Sequence, residues 1–372
     1  MEIVCPNNFK EIETVKERWD EILDKLTSDS PFSTYEWLST WWRHFGKKKR
    51  LLCLLFQKKG ELIGIAPLFS KLEITKGCPV RTIYFLGSPV SDRADFILGK
   101  DGAEVLKRFF QFLQEEYRKW DMMVLEQLPE DSVSVGMLRY FSKKSGLYFE
   151  SFEQTKCPYI PLTKELSQQM ERRGKQAVKD VRRKYRRLQD VGKVGFSRSI
   201  VHKDINEVIK IAREVDLKSH KYPDKTLFTN PQMSSFLKEV AQVFSEKKWF
   251  DFSVLSLNDI PIAYEIGFRY KNKLFSYTAS YDERYARFSP GIGLMYRVIQ
   301  DSIDLGLKEY DLLRGDQPYK WRWAKAFRRH LKIIVINNTY YGRFLYHLRS
   351  HIWPKLRTVK EKILKTQGSE ES

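Results

Sequence analysis

One order of elements occurs twice along this chain, and that repetition constrains the fold more than any single motif. Residues 11–27 carry Ile12, Val15, Trp19, Ile22, Leu23 and Leu26 at helical spacing. Ser33 with Glu36 reads as a capping box that opens a second helix, YEWLSTWWRHF. Two strands follow, RLLCLLFQ and ELIGIAPLF, joined by the turn KKG. A third strand, TIYFLG, leads into a loop with Asp92, Arg93 and Asp95; a helix over 102–118 and the strand MMVLEQL close the series. The second half opens with helices near 204–218 and 231–247. Strands FSVLSL and IPIAYEIGFRY flank the turn Asn258-Asp259, and strand LFSYTAS, the SPGIG loop, a helix over 291–305 and strand YDLL follow. A chain of 372 residues has room for two ordinary domains. The expected class is therefore α+β, with two similar units that each place a mixed β-sheet against flanking helices.

Between the halves lies MERRGKQAVKDVRRKYRRLQD, with nine Lys or Arg against two acids over 171–187. Met170, Ala177, Val181, Tyr185 and Leu188 share one face of it, so the segment is expected to pack as a helix while its other face attracts anions. The C-terminus repeats the theme: Leu345, Leu348, Ile352, Leu356, Val359 and Ile363 form a stripe amid Arg343, Arg349, Lys355, Arg357 and Lys360. That stripe suits a helix docked on its own protein or lying on an anionic membrane surface, and Pro354 should break it. The expected organisation is 1–160, a basic linker helix 161–193, 194–338, and a basic amphipathic tail 339–372.

A formal charge of +19 favours phosphorylated partners, whether nucleic acid, anionic lipid or nucleotide. No stretch approaches the roughly 18 apolar residues of a membrane span, and the first residues lack the basic-then-apolar pattern of a signal peptide. The four cysteines are scattered without a CxxC, as expected for reduced thiols in the cytoplasm. The chain has no GxxxxGK[ST], no GxGxxG after a strand and no GxSxG. His347 and His351 stand one turn apart without a nearby carboxylate or cysteine, so no metal site is expected.

Two stretches carry chemistry. In RFSPGIGLMYRVIQ (287–300), Ser289 can cap a helix and Pro290 is preset for its first turn. Bare amides at Gly291, Ile292 and Gly293 would hold an anion at the helix start, with Arg287 beside them. The strand at 309–313 runs directly into Arg314, Gly315, Asp316, Tyr319 and Lys320, at the strand end where mixed sheets commonly build a site.

PFSTYEWLSTWWRHFG, GIAPLF, YDERYARFSPGIGL and GLKEYDLLRGDQPYKWRW, in that order, resemble the CelD-like branch of the GNAT acyltransferase superfamily, related to FemAB-type transferases built from two GNAT-like domains. The resemblance spans roughly 30–325. It implies two tandem GNAT-like domains and an acyl-CoA donor, acetyl-CoA first, with its pyrophosphate at a helix N-terminus and its pantetheine between splayed strands. The site residues it implies are Arg287, Ser289, Gly291, Ile292 and Gly293. The common signature places an Arg or Gln three residues before the first glycine; here Arg287 stands four before Gly291. The first-half loop, with two carboxylates against Arg93, makes the poorer phosphate cradle, so the donor belongs to the second half.

The reading that follows is transfer of an acyl group to an amine or hydroxyl of a cell-envelope or polysaccharide precursor, glycan or peptide. The protein would work in the cytoplasm or at the inner face of the membrane. Direct transfer needs a base for the acceptor's proton and an acid for the leaving thiolate. Asp316 is the candidate base, Tyr319 the candidate acid and Glu265, inside IPIAYEIGF, the reserve base. Arg314, Lys320 and Asp282 are candidates for substrate contact. The alternatives are an aminoacyl-tRNA-dependent peptidyltransferase of FemAB type, with the basic helix on RNA, and a non-enzymatic membrane-associated scaffold.

Overall fold

The computed structural model describes residues 1–26, 30–171, 176–199, 204–220 and 227–352. Its strands are β1 (Glu2–Val4), β2 (Arg50–Lys58), β3 (Glu61–Thr75), β4 (Cys78–Phe85), β5 (Ile97–Leu98), β6 (Met122–Pro129) and β7 (Tyr148–Pro161), followed by β8 (Val194–Ser199), β9 (Phe250–Leu257), β10 (Ile260–Tyr270), β11 (Lys273–Tyr281), β12 (Glu309–Asp311) and β13 (Ala326–Ile336). Its α-helices are α1 (Phe9–Glu13), α2 (Lys16–Lys25), α3 (Tyr35–Phe45), α4 (Gly102–Glu115), α5 (Val133–Lys144) and α6 (Lys164–Glu171), then α7 (Gln176–Gln189), α8 (Ile205–Asp216), α9 (Pro231–Glu246), α10 (Pro290–Asp304) and α11 (Tyr340–His347).

Local chemistry explains most of these boundaries. Helix α3 is capped by Thr34, whose Oγ1 accepts from the Trp37 amide at 3.3 Å; Ser33 lies in a preceding 3-10 turn, so the cap falls one residue after the expected one. Asn230 caps α9 ahead of Pro231. Both turn residues of the β9–β10 hairpin, Asn258 and Asp259, have positive φ, as do Lys271 and Asn272 between β10 and β11. That backbone twist matches the twist of the strands it joins.

All strands belong to one mixed sheet, ordered β1-β2-β3-β4-β6-β13-β7-β12-β11-β10-β9-β8, with β5 paired to β3. The order is a palindrome in structural roles. In each half an antiparallel hairpin is followed by a third strand and then by a parallel partner, β4 with β6 and β11 with β12. The last long strand of each half then crosses over. β13 pairs with β6 of the first half, β7 pairs with β12 of the second, and the two crossing strands pair with each other from Ala326↔Tyr159 to Ile336↔Tyr148. The units expected at 1–160 and 194–338 thus share one sheet, with β13 seated in the first. Neither β7 nor β13 was expected from the sequence. β7 (YFESFEQTKCPYIP) is polar and mostly half-exposed, without an apolar run.

Helices α2, α3, α8 and α9 cover one face with a core common to both halves. Trp37 of α3 packs edge-on against Phe236 of α9 at 5.1 Å and Phe268 of β10 at 5.7 Å, and its indole N–H donates to Ser91 Oγ at 2.8 Å. The other face carries α4 and α5 over the first half and α6, α7 and α10 over the second. The expected basic helix is α6 followed by α7. Met170, Val178, Val181 and Leu188 are buried; the side chain of Ala177 lies outside the described residues. Beyond α11 and a turn at Leu348–Ile352, the expected C-terminal stripe also lies outside them.

Candidate active site

The second half places its Gly loop at the start of α10. Asp282, buried, caps a 3-10 turn over Glu283–Phe288; its carboxylate accepts from the Arg284 amide (3.1 Å) and guanidinium (2.6 Å). Burial pushes its pKa up, but the Arg284 hydrogen bonds outweigh that and hold it below the usual range. Asp282 therefore spends its charge shaping the loop. Ser289 is left-handed (φ 51°, ψ 55°) and does not cap α10 with its side chain, contrary to the sequence expectation. Its carbonyl accepts from the Ile292 and Gly293 amides at 3.0 Å each, so those two amides are not bare as the sequence suggested, while its Oγ accepts from Lys184 Nζ at 2.7 Å.

Lys184 belongs to α7, which lies across the start of α10. A Cβ on Gly293 would stand 3.7 Å from the Tyr185 ring, and one on Gly291 3.3 Å from that of Tyr281. The crevice shared by Lys184, Ser289, Ile292, Gly293 and Arg322 holds about 10 Å³, room for about one water molecule. In this arrangement a phosphate reaches the α10 amides only if α7 moves. Arg287 is exposed and stacks over Phe288 at 4.7 Å, so Lys184 and Arg322 are the cations lining that crevice.

Beside this loop the sheet opens. β11 and β12 pair over three positions, Lys273↔Glu309, Leu274↔Tyr310 and Phe275↔Asp311, and the pairing stops there while β11 runs on to Tyr281. At the parting, Tyr310 Oη donates to the Glu265 carboxylate at 2.6 Å. Glu265 is 4% exposed. Burial pushes its pKa up to about 7, against the lowering hydrogen bonds of Tyr310 and Ser276. Asp251 adds a raising charge and Arg198 a lowering one. Those two form their own buried pair at 3.0 Å, and Asp251 is bonded by Arg269 as well. Tyr319, 43% exposed, has its phenol pushed up to about 12 by partial burial and by Glu265.

The other face of β12 is where the halves meet. Arg93 donates to Asp311 at 2.6 Å, with Arg328 at 3.6 Å; Arg314 pairs with Asp92 at 2.6 Å and donates to the Pro89 carbonyl at 3.0 Å. Burial pushes Asp92 up to about 6 despite Arg314, and Asp95, bonded by Ser132, also to about 6. Lys320, 5% exposed, donates to the carbonyls of Leu312 (2.7 Å), Leu313 (3.3 Å) and Arg314 (2.7 Å). Its three protons are all used by backbone, and burial pulls its pKa down to about 8. Asp316 is exposed, and its backbone carbonyl accepts from Trp321 Nε1 at 3.2 Å.

The expected residues thus fall into three groups, the Gly loop with Asp282, Glu265 with Tyr319, and the interface holding Arg314 and Lys320, while the exposed Asp316 joins none of them. Sequence reasoning missed Tyr310, Asp311 and Lys184. The only signal for the first two was a polar pair inside the short strand EYDLL. Among the described residues no group of three His, Cys, Asp or Glu could hold a metal ion, and no helix is long and apolar enough to cross a membrane.

Residues 175–321 match the family model described as an acetyltransferase (GNAT) domain. No curated protein matches the sequence significantly. Solved structures with a similar fold include FemX, 13% identical with a TM-score of 0.61, the match covering 94% of this chain and 99% of that one. The C-terminal domain of a protein assigned as a lysylphosphatidylglycerol synthetase in Agrobacterium fabrum is 12% identical, TM-score 0.54, covering 90% and 96%. A tandem GNAT protein from the clavulanic acid biosynthesis pathway is 8% identical, TM-score 0.50, covering 91% and 99%. At these identities the likeness is one of fold.

Proposed function

We propose that this chain, a GNAT-superfamily protein of FemAB-like two-domain build, moves an acyl group from a CoA thioester, acetyl-CoA first, to an amine or hydroxyl of a cell-envelope or polysaccharide precursor. The observation that carries the reading is the parting of β11 from β12 beside Glu265, Tyr310 and Tyr319, on the sheet face that α10 covers. A pantetheine arm would run into that gap, with the pyrophosphate at the positive end of α10 once α7 has shifted and Lys184 and Arg322 beside it. Glu265, poised near neutrality, suits the base better than the exposed Asp316. It takes the acceptor's proton as the nucleophile adds to the thioester carbonyl. As the C–S bond breaks, Tyr319 gives its proton to the leaving thiolate, and the proton held by Glu265 restores the phenol. Arg314, at the mouth of the interface, is the candidate for acceptor charge. The protein would act in the cytoplasm, at or near the inner face of the membrane.

One observation favours a second reading, FemAB-type transfer from aminoacyl-tRNA: the cations of α7 gather along one cavity against α10. Thermal shift of the full chain across CoA thioesters and charged tRNA separates the two. A ligand at 100-fold its Kd adds about 2.7 kcal/mol of stability. We expect acetyl-CoA or a longer thioester to give that shift, and Glu265→Gln and Tyr319→Phe each to lower turnover by roughly 10²–10⁴-fold with donor binding kept. Stabilisation by charged tRNA alone would establish the second reading, and stabilisation by neither would leave a scaffold.

A further inference from the structure

Helices α7 and α10 enclose an open-mouthed cavity of about 690 Å³, within the size range of small-ligand sites. It lies along the second and third turns of α10, through Tyr296, Arg297 and Gln300, and is separate from the crevice at that helix's start. From α7 come Lys179, Arg182, Arg183 and Arg186, at offsets of three, four and seven that place them on one face, with the buried Val181 also in the lining. Five cations therefore line one cavity with a single carboxylate, Asp180, which pairs with Arg183 at 3.1 Å.

Two of the other cations are held without being neutralised. Arg182 donates to two uncharged oxygens, Tyr296 Oη at 3.1 Å and the Met170 carbonyl at 2.8 Å. Arg297 stacks on Phe196 at 5.1 Å. No described carboxylate forms an ion pair with Lys179, Arg182, Arg186 or Arg297. A guanidinium fixed on neutral acceptors, with like charges converging around it, is complementary to a compact polyanion.

We propose that this cavity binds a ligand carrying two or more phosphate groups. The proposal does not depend on the acyl-transfer reading: failure of every CoA thioester to bind would leave it intact. Calorimetric titration of the full chain with tripolyphosphate, at about 0.1 M ionic strength where scattered surface charges are screened, tests it. We expect saturable binding about tenfold or more tighter than orthophosphate, because several charge-assisted bonds form at once. Arg186→Gln with Arg297→Gln should weaken it by about tenfold or more at an unchanged melting temperature; should that pair fail to fold, Arg186→Gln alone should give a smaller loss. The remote exposed pair Lys10→Gln with Lys25→Gln should leave it unchanged. ADP binding tighter than pyrophosphate would identify a nucleotide as the source of the phosphates, and equal binding an inorganic polyphosphate. The proposal is overturned by absence of tripolyphosphate binding to the wild type, by an equal loss in the remote control, or by a short RNA binding where tripolyphosphate and ADP do not.

Discussion

Replacing Glu265 with Gln tests the poised carboxylate without any substrate. In the folded chain Glu265 titrates near 7, against an ordinary value of 4.5. A carboxyl whose folded pKa is raised contributes stability that is fully present below the unfolded pKa. That contribution declines as pH climbs through the window, because the unfolded chain ionises first and the folded chain holds its proton. The distance from 4.5 to about 7 corresponds to roughly 3 kcal/mol, lost by the wild type between about pH 4.5 and pH 7. The amide introduced by Glu265→Gln does not titrate in this range and can still accept the Tyr310 hydroxyl. Asp92 and Asp95, pushed up to about 6, titrate in the same window but contribute equally to both proteins, so the difference isolates Glu265. Urea unfolding of both proteins at pH 4.5, 6 and 8 reads it. The variant should gain about 3 kcal/mol on the wild type between the first and last pH. A difference that stays flat within about 0.5 kcal/mol across the series would refute the raised pKa and, with it, the choice of Glu265 as base.

Two further outcomes follow from the geometry. Arg93→Ala removes the 2.6 Å partner of the fully buried Asp311, leaving Arg328 at 3.6 Å as its described cation beside the Leu313 amide at 2.9 Å, and should cost about 3–5 kcal/mol in chemical denaturation; a cost below about 1 kcal/mol would mean that the interface is wet. Gly293→Ala should keep or raise the melting temperature, since its Cβ meets only ordinary contacts at 3.7 Å or more, whereas Gly291→Ala forces the Tyr281 ring to yield at 3.3 Å and should lower both melting temperature and CoA affinity.

The repeat of helix, helix, hairpin, strand, helix and strand was legible because each element carries its own signal. Trp19, Ile22 and Leu23 recur at helical spacing, β2 is a continuous apolar run, and Asn258-Asp259 accepts the left-handed turn a tight hairpin needs. These signals act over a few residues, and they determined the α+β class, the two halves and the Gly loop as a helix start. Contacts distant in sequence carry no such mark. That β13 pairs with β6 and β7 with β12 depends on which sheet edge each strand meets after the halves have formed, and a polar strand such as β7 does not announce its partners. The same holds for the site. Sequence placed Glu265 in a strand, but only the fold buried it under the Tyr310 hydroxyl and so moved its protonation toward neutrality. Lys320 read as a substrate contact, and the fold engaged its three protons with carbonyls. The basic helix could be read as an anion-attracting face, yet only packing set Lys184 over Ser289 and the Arg182 face around a cavity. Charge and periodicity are properties of the chain; burial, which decides what a charge does, is a property of the tertiary structure alone.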